Sequence, residues 1–151
     1  MVFYYLLFQI LISWLIACGI LVLFNRATFT SYTEVYSEAK LITNILTVFN
    51  VNPSLQGKLI TSRILHHVTG LYFAAAYYLM WYYEFVEVSW NTSFLIGISI
   101  GLLRYMSWIF LLEIIPKSYI VNFKGYYLHH IFLHAIFTIL ILSVYFLFLL
   151  L

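Results

Sequence analysis

The chain has 151 residues, of which 65% are hydrophobic and only 8% charged. Soluble domains carry about 25% charged residues, so this composition excludes an ordinary water-soluble fold and points to an all-α, polytopic membrane protein forming a single membrane domain. The formal charge of +2 comes without any Lys/Arg run, which excludes a nucleic-acid partner, and the single Cys18 excludes an internal disulfide or a cysteine-based zinc site.

The first apolar run, about 3–24, is long enough to cross a hydrocarbon core, which takes roughly 20 helical residues. It has no basic segment ahead of it, as a secretory signal would. Leu15-Ile16-Ala17-Cys18 resembles a lipoprotein cleavage box, but the chain stays apolar beyond Cys18. The run is therefore expected to stay in place as the first membrane helix. The connection that follows is too long for a simple turn. Ser31-Tyr32-Thr33-Glu34 fits a capping box, and Val35, Ile42, Ile45, Leu46 and Phe49 recur near helical spacing opposite Glu34, Glu38 and Lys40. This predicts an amphipathic interfacial helix over about 32–49, closed by Asn52-Pro53.

Three further runs, about 59–83, 93–115 and 122–150, predict a bundle of four membrane helices, because backbone groups in lipid must be paired within their own segment. Basic residues favour the cytoplasmic side. The first connection holds Arg26, Lys40 and Lys58, with Arg63 just inside the next helix, and the third holds Lys117 and Lys124. The second carries Glu84 and Glu87 and no base. Both termini are thus expected outside, with Trp81, Tyr82, Tyr83 and Trp90 as an outer aromatic belt.

On this topology all five histidines fall in the inner half of the membrane. His66 and His67 sit roughly 10–12 Å deep, and His129, His130 and His134 at about 10–18 Å. His130 and His134 share a helical face with Tyr127, Thr138 and Tyr145, while His129 lies about 100° away. Arg63, His67, Gly70 and Ala74 form a stripe with His66 and Tyr77 beside it, and both stripes are expected to face inward, since an imidazole facing lipid leaves its N–H unpaired. Arg104 falls near the middle of the third run, on one face with Gly97, Gly101 and Trp108. The Gly97–Gly101 spacing lets a neighbouring helix come close. Glu113 points elsewhere and is expected to pair with Lys117. Gln9, Ser13, tyrosine hydroxyls, backbone carbonyls or an external anion remain as partners for Arg104.

His66, Gly70 and Tyr77 recur at an offset of 68 as His134, Thr138 and Tyr145, which raises a duplication of two related hairpins. "SRILHHVTGLYFAAAYYL" and "LHAIFTIL" resemble an uncharacterised family of small bacterial four-helix membrane proteins with a His-then-Gly motif in the second helix and a similar His motif in the fourth. The likeness covers about 25–83 and 122–145 and leaves out the first helix. His66, Gly70 and His134 fit the motif, and Thr138 stands where the family has Gly. The resemblance implies this architecture in a bacterial inner membrane and brings no activity with it.

Three functional readings follow. The first is binding or transport of a small anionic solute or lipid in a cytoplasm-facing pocket lined by Arg63, His66, His67, Arg104, His130 and His134. The second is a structural small subunit of a larger membrane complex or homo-oligomer, with the histidines as interhelical hydrogen-bonding groups. The third is a haem or metal site using His66, His130 and His134. No catalytic residue is assigned, and membrane lipid is the partner common to all three.

Overall fold

The computed structural model describes residues 2–28, 46, 54–114 and 123–150. It is all-α, with four helices: α1 Val2–Thr28, α2 Leu55–Tyr82, α3 Trp90–Ile114 and α4 Phe123–Leu149. Two stretches, Phe3–Phe24 of α1 and Leu128–Leu149 of α4, are long and apolar enough to cross a membrane by length and composition. The amphipathic helix expected over 32–49 and its capping box lie outside the described residues, apart from Leu46, which is helical. So does the Glu113–Lys117 pair, and nothing is described of the side chains of Tyr127 and Trp108.

Local chemistry sets where the helices begin and end. At the start of α2, Ser54 Oγ accepts from Gly57 N at 3.2 Å, pairing one of the free first-turn amides. Ser89 does the same for α3, its Oγ accepting from Thr92 N at 3.2 Å. The end of α2 is closed by two reversed bonds, Phe85 N to Met80 O at 2.9 Å and Glu84 N to Trp81 O at 3.1 Å. Glu84 holds φ at 56°, the left-handed conformation this closure requires and which glycine adopts more readily.

Contacts along the helices fix their directions. Phe24 meets Phe132 near one end of α1 and Tyr5 meets Phe148 near the other, so α1 and α4 are antiparallel. Gly97 faces Ala135 and Gly101 faces Ile131, so α3 and α4 are antiparallel too. Phe73 meets His134 and Trp81 meets Tyr145, so α2 and α4 run the same way. α4 is the hub: α1, α2 and α3 all pack on it, and α1 also packs on α2. Among the described residues α2 and α3 share no packed interface.

The apolar core is built from α1 (Ile10, Ala17, Cys18, Leu21), α2 (Ala74, Tyr77, Tyr78, Trp81) and α4 (Leu133, Phe137, Ile141, Leu142). Trp81 is a correction to the expected belt. It is only 3% exposed and packs among Tyr77, Tyr78 and Tyr145, whereas Tyr82, Tyr83 and Trp90 are exposed. The cause is helical phase: Trp81 lies 11 residues after Gly70 and 7 after Ala74, on the side of α2 that turns to the bundle.

Candidate functional site

The site forms where α2, α3 and α4 come level. Its base is the contact of α3 with α4. A Cβ built on Gly97 would stand 2.7 Å from Ala135 Cα and 2.9 Å from His134 O, and one on Gly101 would stand 2.7 Å from Ile131 Cα. Only glycine allows backbones this close. That approach carries Arg104, less than one turn beyond Gly101, to α4, where Nη1 lies 3.2 Å from His134 Nε2.

The chemistry of this contact assigns the imidazole. A guanidinium only donates, so Nε2 must present its lone pair, and the ring is neutral with its proton on Nδ1. His134 is 7% exposed. Its Nδ1 is buried and has no hydrogen-bond partner, while the ring lies edge-on to Phe73 of α2, with centroids 5.3 Å apart at 85°. One turn along, Thr138 Oγ1 is 2.9 Å from His134 O and 3.0 Å from Tyr77 Oη. Thr138 has one hydroxyl proton and a carbonyl can only accept, so Thr138 donates to His134 O and Tyr77 donates to Thr138. A second buried pair, Ser13 Oγ and Tyr78 Oη at 2.6 Å, ties α1 to α2.

Of the six residues expected to line a pocket, the structure gathers four. His134 and Arg104 touch, and both lie within electrostatic reach of His130. His66 is within the same reach of His130 and His134. Arg104, His66 and His130 are half-buried. His129 also packs near His130, with ring centroids 6.3 Å apart.

Arg63 and His67 are placed differently, which corrects the expected inward stripe. Both are exposed. Successive residues of a helix are rotated by about 100°, so His66 shares a side with Phe73 and Tyr77 towards α4, whereas His67 turns to α1. There its ring stands edge-on to Trp14 at 6.1 Å, and its carbonyl accepts from Trp14 Nε1 at 3.1 Å. Burial on α2 deepens only from Ala74 onward, and Arg63, Ile64, Leu65, His67 and Val68 are all exposed. Helical phase therefore does not decide burial over that half of the helix.

Arg104 has a partner the sequence did not suggest, since an imidazole that accepts is easily passed over in a search for carboxylates and hydroxyls. Ser13, one of the anticipated partners, is bonded to Tyr78 instead. The spacing that places a tyrosine eleven residues after His66, and its place beside the inward stripe, were the signals for Tyr77.

Among the described residues no group of three or more His, Cys, Asp or Glu is placed to hold a metal ion, so His66, His130 and His134 do not form a site of that kind. Nor does His134 present an axial ligand to a haem, because its Nε2 lone pair is directed at Arg104. Neither protein-family models, nor curated proteins, nor solved structures match the chain, so the chemistry of the residues alone bears on function.

Proposed function

We propose that this is a four-span membrane protein with both termini outside, in a bacterial inner membrane, and that it binds an anionic group, carried by a small solute or a lipid, at Arg104 and the histidines around it. The observation that carries the reading is the Arg104–His134 contact. A neutral imidazole orients the guanidinium through its lone pair and does not itself cancel the charge. In a low-dielectric layer such a charge attracts an anion far more strongly than it would in water. His66 and His130 add N–H groups within the same layer.

The spans of α2 and α3 rest on the length and composition of their runs, and the orientation rests on the Lys and Arg of the first and third connections. Mass spectrometry of the purified protein tests the binding reading. A stoichiometric anionic molecule should accompany the wild-type chain and be lost in Arg104→Gln. If both preparations carry the same molecules, the structural-subunit reading takes its place.

A further inference from the structure

Arg63 and His67 make a second polar pair, away from the Arg104–His134 contact. They stand one turn apart on α2 and share a face. Both are exposed, although Gly70, Ala74 and Trp81 further along the same face pack on α1 or into the core. His67 is anchored through its ring and its carbonyl, both against Trp14 of α1. Among the described residues neither the Arg63 guanidinium nor the imidazole nitrogens of His67 have a hydrogen-bond or ion-pair partner. Beside the pair, Ile60, Ile64 and Val68 run along α2 at every fourth position, and all three are exposed. Neither α1 nor α2 contains an Asp or Glu.

We propose that this face of α2 holds an anionic phospholipid of the cytoplasmic leaflet, its phosphate on Arg63, an ester carbonyl on the His67 N–H and an acyl chain along Ile60, Ile64 and Val68. The site is separate from Arg104, and it rests on the reading of α2 as a membrane span that starts at the cytoplasmic surface. Arg63 stands eight residues after Leu55, about 12 Å along the helix. Its Cα–Cβ bond tilts towards the helix start, so the side chain lies along apolar surface and carries the guanidinium back to headgroup level. There the planar fork of donors matches the oxygens of a phosphate. His67 lies about 6 Å deeper, level with ester carbonyls, which only accept. A zwitterionic lipid brings a cation that needs an acceptor of its own, and two helices without a carboxylate offer none. A lipid with net negative charge therefore fits this face better.

The test uses the full chain in a non-ionic detergent, with dioleoyl phosphatidylglycerol as the probe and bound lipid counted by native mass spectrometry. Phosphatidylglycerol should be retained saturably in preference to dioleoyl phosphatidylcholine, and inorganic phosphate should not displace it. Arg63→Gln should weaken that binding about fivefold or more, the loss of one cation beside an anionic headgroup, and Arg63→Lys and His67→Phe should each lose less. Both positions are exposed, so these variants should keep the fold. Equal retention of the two lipids would overturn the proposal, because the acyl chains alone would then account for binding. Displacement by inorganic phosphate would overturn it too, by showing an anion site that needs no lipid. If Arg63→Gln retains phosphatidylglycerol as the wild type does, the proposal falls. Loss of the lipid in Arg104→Gln alone would then assign it to the Arg104 layer and leave that reading standing.

Discussion

α2 and α3 flank the same site and are held in the bundle by opposite means. α2 contributes Ala74, Tyr77, Tyr78 and Trp81 to the buried core and reaches α4 through large side chains. Among the described residues α3 contributes no large buried apolar side chain. Its buried positions are Ser93, Gly97 and Gly101, and it docks on α4 almost backbone to backbone. Large side chains tolerate small changes by shifting rotamer, whereas two backbones in contact cannot yield.

If this contrast is right, the largest losses should come from adding a methyl to α3. Gly97→Ala puts a Cβ against Ala135 Cα, Thr138 Oγ1 and His134 O at 2.7–2.9 Å. Overpacking of this kind costs about 1–3 kcal/mol or more, against roughly 1 kcal/mol of gained helix propensity. Unfolding in mixed micelles should show a net loss of up to about 2 kcal/mol, and Gly101→Ala should follow it. A wild-type-like midpoint for both would break the comparison.

Next in size is the polar contact. His134→Leu removes the acceptor facing Arg104, at a cost of about 1–3 kcal/mol. His134→Gln offers another acceptor and should recover most of that loss. Equal losses in the two variants would show that imidazole packing on Phe73, not the lone pair, is what matters.

On the α1–α2 side, Ser13→Ala and Tyr78→Phe should each cost about 0.6–1.7 kcal/mol, the range for interhelical hydrogen bonds in membranes. A double-mutant cycle should show them strongly non-additive, because both delete the same 2.6 Å bond. Additive losses would mean that the hydroxyls act separately.

The smallest effect sharpens the contrast most. Gly70 faces side chains, with its added Cβ 3.1 Å from Cys18 Sγ and 3.3 Å from Trp14 Nε1. Gly70→Ala should stay within about 0.5 kcal/mol of wild type in the same unfolding assay, since helix propensity offsets a contact that can relax. A loss as large as that of Gly97→Ala would erase the distinction between the two helices.

Much of this architecture was legible in advance because it follows from short-range rules. Four apolar runs became four helices with ends shifted by a few residues, and Gly97 and Gly101 marked a close contact before its partner was known. Distance along each run predicted His66 and His134 at similar heights, and in the structure they lie within electrostatic reach of each other. The misreadings share a cause. Arg63 and His67 were assigned inward by phase, yet both are exposed and His67 turns to Trp14 of α1, and Trp81 was read as interfacial from its place beside a loop. Arg104 was given Ser13 as a candidate partner, but Ser13 belongs to Tyr78. Periodicity tells which residues share a face and says nothing of which neighbour that face meets.

The sequence by itself determined the all-α class, the two stretches apolar enough to cross a membrane and the glycine face of α3, because each depends on composition or on a fixed 100° step. Only the tertiary structure decided that α4 is the hub, that Arg104 is oriented by a neutral His134, and that His66 and His67 part company. Those outcomes depend on how three helices share one surface, and several arrangements of the same faces would bury comparable apolar area.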